Sequence, residues 1–316
     1  MNEDKKCCGA LWMLHRVAPD RPEITFQRFD KATRITPEYL EKCITDAKAA
    51  GYRFVSVDDF LRRKNSGQSD GRDIAVTIDD GYRDIYEYAW PVFEKHQVPF
   101  VFYVASDFIF YGFDRCRRPE IDGGQLAMDY IYHHEGFAFG GKKYPARTLT
   151  EKAKCFDDLW KRFKKIKKYF PWLSGRNLLA GYLGQKPAQL PFDDYFKKYV
   201  CSPEELRQMG ASPLCTIGSH GKSHFPLFKI LRKSRLEKEF TESQQVLERI
   251  LGQPVEHFSY AYGSYCSKAA PLVRKYYKSG VGVTPMPCQV GDDDYLLPRI
   301  TVSRDENPLD TFNSKD

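Results

Sequence analysis

The sequence contains no apolar run approaching the roughly 20 residues a membrane span requires, and it has no internal repeat. Its nine cysteines form no Cys-x-x-Cys pair; the number is odd and the spacing irregular, which argues against a disulfide framework and for reduced thiols. Neither charge sign dominates. The 49 Lys and Arg against 42 Asp and Glu are an excess that ordinary surface carries, and nucleic acid is not implied. No secretory leader is expected: polar Met1 to Lys6 precedes an apolar run, Cys7 to Leu14, that is short and has no small-residue cleavage site after it. A soluble, cytoplasmic chain is expected. Histidine is scarce, seven in 316 residues, so two at ligand spacing carry information.

Hydrophobic residues make up 42% and aromatics 15%, enough for a sizeable core in one large α/β domain or two ordinary ones. Residues 9 to 104 alternate strand and helix signals. Ala10 to Leu14, Arg53 to Val55, Ile74 to Ile78 and Pro99 to Val104 read as strands. Thr36-Pro37-Glu38 opens a helix that Gly51 ends; Ser56 to Arg63 and Asp84 to His96 are further helices. The rhythm stops over 107–201, where strands are not evident, and the stretch reads as an insertion of helix and loop. It resumes at Ser202-Pro203-Glu204, with strands at Leu214 to Gly218, Phe258 to Tyr260, Val281 to Val283 and Leu296 to Val302. Helices are expected over 231–251 and 269–279. Strands separated by helices imply a parallel sheet or barrel, whose chemistry gathers at the carboxyl ends of strands.

Three such ends carry reactive groups. Ile74 to Ile78 delivers Asp79-Asp80-Gly81; Leu214 to Gly218 delivers His220 and His224; Phe258 to Tyr260 delivers Tyr262-Gly263. Asp-Asp-Gly by itself is a common turn. Two imidazoles and one carboxylate suit a divalent metal of the zinc type, and a second carboxylate beside them can take a proton from water. Tyr-Gly after a strand can present a backbone N–H to an oxyanion. His133-His134-Glu135, in the insertion, holds adjacent histidines that diverge, a poor ligand set.

These motifs resemble those of the polysaccharide deacetylase family (carbohydrate esterase family 4). Its Thr-Phe-Asp-Asp-Gly stands here as Thr77-Ile78-Asp79-Asp80-Gly81. Its His-Ser/Thr-x-x-His is His220-Gly221-Lys222-Ser223-His224, and its Pro-Tyr-Gly is Ala261-Tyr262-Gly263. The resemblance implies a distorted, incomplete (β/α) barrel with a largely helical insertion: residues 1–106 and 202–316 form the barrel and 107–201 the insertion. It implies Asp79 as catalytic base, Asp80, His220 and His224 as ligands of a divalent metal, most simply zinc, and the Tyr262 N–H in the oxyanion hole. Tyr82, Tyr260 and Gly263 are expected at the substrate. Two family features are absent. No histidine follows His257, so the late Leu-x-His acid is missing, and the arginine often found early in the third motif is Ser259. His15, at the end of the first strand, is a substitute acid, with protonated Asp79 as the other source of a proton. Arg299 can orient Asp79 through a forked ion pair.

The implied reaction removes an N-acetyl or other N-acyl group from an amino sugar, or from a lipid-linked glycan, in cytoplasmic surface-glycan assembly. An amidohydrolase of small non-sugar amides and an inactive glycan- or protein-binding descendant are the alternatives. Within the insertion, Leu159, Phe163, Ile166 and Phe170 make an apolar stripe among lysines. Peripheral membrane contact through 159–172 is one expectation for it, and packing on its own domain is the other.

Overall fold

A computed structural model describes residues 6–20, 34–111, 125–139, 142–169, 177, 180–181 and 198–310. The chain divides into two compact units: Met1–Pro19, Ala32–Ile109 and Cys201–Asp316 in the first, Asp20–Lys31 and Phe110–Val200 in the second. The first begins with β1 (Cys7–Leu14), β2 (Arg16–Val17), β3 (Arg34–Ile35), α1 (Pro37–Ala49), β4 (Arg53–Phe54), α2 (Val57–Asn65), β5 (Asp73–Ile78), α3 (Trp90–His96) and β6 (Phe100–Val104). The second holds α4 (Gln125–Tyr132), β7 (Gly136–Phe139), β8 (Lys142–Pro145) and α5 (Leu149–Tyr169). The first then continues with α6 (Pro203–Gly210), β9 (Cys215–Ser219), α7 (Lys233–Leu251), β10 (His257–Ser259), α8 (Ala270–Tyr276), β11 (Ser279–Val281), β12 (Cys288–Gln289) and β13 (Ile300–Thr301).

Local chemistry sets the helix starts. Thr36 accepts the Tyr39 N–H (3.2 Å) ahead of Pro37, and Ser202 and Glu205 form a reciprocal capping box ahead of α6. The expected helix over 84–96 differs in detail: a wide π turn, Ile85–Ala89, precedes α3, which begins at Trp90-Pro91. Proline lacks an N–H, so it fits the first turn of a new helix better than the middle of a continuous one.

The main sheet runs β11-β10-β9-β6-β5-β1, all parallel, with β12 antiparallel to β1 and β4 beside β5. It curls into an incomplete barrel. Leu297 bridges Val281 on one edge, and three residues later Ile300 and Thr301 pair with Trp12 and Met13 on the other. The stretch 297–301 is thus a thin seam across the gap. Strand side chains alternate between two buried clusters. Leu11, Ala75, Val101, Tyr103, Val281 and Leu297 share one. Ala10, Trp12, Val76, Ile78, Phe100 and Phe102 join the other, which the helices cover. Burial of both faces is why these strands are nearly continuous apolar runs.

The second unit contains an antiparallel β7–β8 hairpin where the sequence suggested only helix and loop. Its strands are short and mixed in polarity, and Gly140-Gly141 between them, like Gly123-Gly124, lies outside the described residues. On α5, Phe156 and Leu159 are buried. Of the stripe, Leu159 is buried and Ile166 half-buried; the Phe163 side chain and residues 170–172 lie outside the described residues. Among the described residues, no helix is long and apolar enough to cross a membrane.

Candidate metal centre and active site

Register builds the site. Leu14 pairs with Ile78, and the Asp79 N–H donates to the Leu14 carbonyl (3.0 Å), so His15 and Asp79 emerge side by side from β1 and β5. Val104 pairs with Ser219, and the His220 N–H donates to the Val104 carbonyl (2.9 Å), so His220 emerges from β9 at the same level. The Asp80 carboxylate lies 3.1 Å from His224 Nε2 and 3.5 Å from His220 Nε2. Metal–ligand bonds of about 2.0–2.2 Å in a tetrahedron imply ligand–ligand edges near 3.4 Å. The three donor atoms all lie within 4.8 Å of one another, and all three residues are buried. The group fits a divalent cation.

Both imidazoles are oriented for this task. His220 Nδ1 faces the Ser259 carbonyl (2.9 Å), and His224 Nδ1 faces the Tyr262 hydroxyl (2.8 Å), leaving each Nε2 toward Asp80. Protons on Nδ1 free Nε2 as a ligand. Asp80, His224 and Tyr262 have φ of 84°, 50° and 58°, three of the four non-glycine residues in the left-handed region among the described residues. Such conformations cost free energy and cluster where a site dictates them.

Asp79 is kept out of the cradle. Its Oδ1 and Oδ2 accept from Arg299 Nη1 (2.8 Å) and Nη2 (2.7 Å). Arg299 has no accessible surface and also donates to the Gly282 carbonyl (2.6 Å), Thr77 Oγ1 (3.2 Å) and Ser259 Oγ (3.2 Å). Burial would raise the Asp79 pKa, but the Arg299 charge outweighs it and holds the carboxyl at about 2. Burial likewise opposes ionisation of Asp80, and its hydrogen bonds to His220 and His224 hold it well below the ordinary range. For His220 the Asp79 and Asp80 charges overcome burial and raise the pKa, whereas burial wins at His224 and lowers it.

The sequence reading missed the scaffold of the histidine loop. Glu239, buried on α7, accepts the N–H of Lys222 (3.1 Å) and Ser223 (2.8 Å) and the Ser223 hydroxyl (2.7 Å). Ser243, one turn on, donates to the Gly221 carbonyl (3.0 Å) and meets the Ser219 hydroxyl (2.9 Å). An acid on the apolar face of an amphipathic helix, beside Leu236 and Phe240, is the signal that could have found Glu239.

The three residues expected at the substrate have these surroundings. The Tyr260 ring is fully buried against Phe258 (centroids 5.2 Å apart), because its position on the strand points it into the helix-covered core. Gly263, at φ 60°, spends its N–H on the Tyr260 carbonyl (2.8 Å), and an added Cβ would lie 2.3 Å from Val283 Cγ2; its work is a tight turn. Tyr82 is buried with the Arg16 guanidinium 4.3 Å from its ring centre. His15 is half-buried at the rim, and its Nδ1 has no hydrogen-bond partner. Among the described residues His134 belongs to no metal-ligating group, and its Nδ1 faces the Tyr130 carbonyl (2.7 Å).

A polysaccharide deacetylase family model matches residues 153–279, which include both histidines and the Tyr260 to Gly263 segment. The match spans 127 of the 316 residues, and over them the chain resembles the polysaccharide deacetylase family. No curated protein matches it. Among solved structures, the chain is similar to the deacetylase PplD of Streptococcus pyogenes, with 14% identity, TM-score 0.61, and 96% of this chain and 97% of that one covered. It is also similar to IcaB from Ammonifex degensii, with 17% identity, TM-score 0.61 and 97% of both chains covered. A de-N-acetylase from Aggregatibacter actinomycetemcomitans gives 16% identity and TM-score 0.58, covering 96% of this chain and 98% of that one. At such identities the likeness establishes the fold.

Proposed function

We propose that this chain is a metal-dependent hydrolase that removes an N-acetyl, or other N-acyl, group from an amino sugar during surface-glycan assembly. The observation that carries the reading is the division of labour between neighbouring acids: Asp80 converges with His220 and His224, while Asp79 stands apart in the Arg299 fork. A cation held by Asp80, His220 and His224, zinc being the simplest choice, would supply polarisation of the amide carbonyl and acidification of water.

The remaining steps fall to the chain's own groups. Asp79 is an anion at every working pH, since its pKa is about 2. Each of its oxygens keeps a lone pair beyond the Arg299 bond and can accept the proton of the attacking water. The Tyr262 N–H is assigned to the oxygen of the tetrahedral intermediate. The leaving amine then needs a proton. Asp79, once it has taken the proton of that water, is one source, since giving the proton up restores its buried pair with Arg299. His15 is the other source: it sits in register beside Asp79, and its Nδ1 has no hydrogen-bond partner among the described residues. A cytoplasmic setting is part of this proposal, on the odd number and irregular spacing of the cysteines.

The test is acetate release from N-acetylated glucosamine oligomers by the zinc-loaded protein. Asp79→Asn should abolish release while zinc binding persists, and His15→Ala should lower turnover with binding intact. A metal-loaded wild type that releases nothing from an amino-sugar panel, yet cleaves small amides, would move the reading to a non-sugar amidohydrolase.

A further inference from the structure

The polypeptide just beyond the histidine loop carries a surface that the catalytic reading leaves unused. Phe228 and Leu231, three residues apart, are 57% and 83% exposed. Leu231 is the most exposed large hydrophobic side chain among the described residues. Burying such groups in an apolar medium is favourable, and leaving both in water forfeits that gain.

The charges from 229 to 235 are of one sign. Lys229, Arg232, Lys233 and Arg235 are all exposed, and none forms an ion pair among the described residues. The next acid along the chain, Glu237, is already engaged by Lys275 Nζ (3.1 Å) and the Tyr276 hydroxyl (2.5 Å). Beside them lies a groove of about 760 Å³ with an apolar floor of Leu236 and Leu272 and a rim of Lys233, Lys268, Lys275 and Glu237, the acid being paired with Lys275. Apolar wedges between unpaired cations, next to a lysine-rimmed apolar groove, match the two layers of a bilayer interface: acyl chains below and anionic headgroups above.

The location ties this surface to the site. His224 precedes Phe228 by four residues, and the Leu227 N–H donates to Ser264 Oγ (3.0 Å), on the loop that also holds Tyr262. We infer that residues 228–235 and the adjoining groove dock this protein on an anionic phospholipid bilayer, presenting the metal site to glycan at the membrane surface. The substrate consequence, a lipid-linked or membrane-proximal glycan, rests on the deacetylase reading; the docking itself does not.

Vesicle co-sedimentation tests it, with phosphatidylcholine–phosphatidylglycerol vesicles and phosphatidylcholine vesicles as the pair. The zinc-loaded wild type should sediment with the mixed vesicles at low salt and be released at high salt. Phe228→Ser with Leu231→Ser should weaken partitioning by about tenfold or more. Lys229→Gln, Arg232→Gln and Lys233→Gln together should weaken it by about a hundredfold. Leu149→Ser on α5 should leave it unchanged. Circular dichroism melts verify that each variant is folded, which exposed positions allow.

No sedimentation of the wild type at low salt overturns the inference, as does binding insensitive to the 228–233 variants or equally lost in Leu149→Ser. Self-association that Leu231→Ser abolishes, without vesicle binding, also overturns it and assigns the surface to a second copy. Acetate release from a soluble amino-sugar oligomer, measured on the same samples, separates the two readings. Docking without acetate release removes the deacetylase assignment alone; acetate release without docking removes the surface alone.

Discussion

At the residue scale, the decisive side chain is Arg299. It joins Thr77, Asp79, Ser259 and Gly282 inside the barrel with no contact to water. It also answers the missing arginine of the third motif: the guanidinium arrives from the seam, and Ser259, which stands where that arginine is often found, becomes one of its partners. Breaking a buried pair from one side costs about 3–5 kcal/mol, because the remaining charge is stranded. Arg299→Met should lower the urea unfolding free energy by that order, and it should lower turnover with it. The pH dependence follows from the sign of the Asp79 shift. A folded pKa of about 2 lies below the usual carboxylate value, so the stabilisation is complete above about pH 4 and fades as pH falls toward 2. Acid-unfolding curves of wild type and Arg299→Met should therefore differ most above pH 4 and converge below it.

Glu239 belongs to the same scale. It touches neither a metal-ligating atom nor the reacting bond, but it fixes the backbone of Lys222 and Ser223 between the two histidines. Removing partners of this kind typically costs 10–100-fold in metal affinity. Glu239→Ala should show such a loss in competition with a chromogenic zinc chelator, and Glu239→Gln, which keeps one acceptor, should recover part of it. Equal affinity in all three proteins would assign Glu239 to general stability.

At the element scale, tight contacts between strands fix the site's geometry. Gly218 lies on β9 where an added Cβ would sit 2.4 Å from Tyr103 Cδ1 and 3.1 Å from the His257 carbonyl oxygen. Strand β9 leads directly into His220. Gly218→Ala should destabilise the protein by about 1–3 kcal/mol, the usual range for overpacking. It should also raise the zinc dissociation constant, measured in the same chelator competition. A variant with wild-type melting and wild-type affinity would show that β9 yields at no cost. The helices were easier to read than the seam. Thr36-Pro37, Ser202-Pro203 and Gly252 announce their boundaries through side-chain oxygens, proline and a left-handed glycine. The seam was legible as a strand, Leu296 to Val302, but not in its pairing: that Ile300 and Thr301 ladder with β1 depends on how the sheet curls.

At the scale of the whole molecule, the metal cradle links two distant parts of the chain, the end of β5 and the loop after β9. A ligand that binds only the folded state stabilises it by mass action, about 4 kcal/mol at a thousandfold excess over its dissociation constant. Zinc should therefore raise the melting temperature of the wild type, and a chelator should reverse the rise. His224→Ala should show neither response. A melting temperature indifferent to zinc in the wild type would mean that the three ligands do not hold the ion in the folded protein.

The alternation of strands and helices, the acid pair, the histidine pair and even the Arg299 fork were legible along the chain, because hydrophobic period, capping residues and motif spacing are local properties. Tertiary structure alone decided which neighbours those side chains keep. It sent Tyr260 into the core and Gly263 into a turn, set Glu239 beneath the histidine loop, and exposed Leu231 while burying Leu159. Burial and hydrogen-bond partnership between residues far apart in sequence depend on how the curled sheet and its helices meet, and no local pattern encodes that meeting.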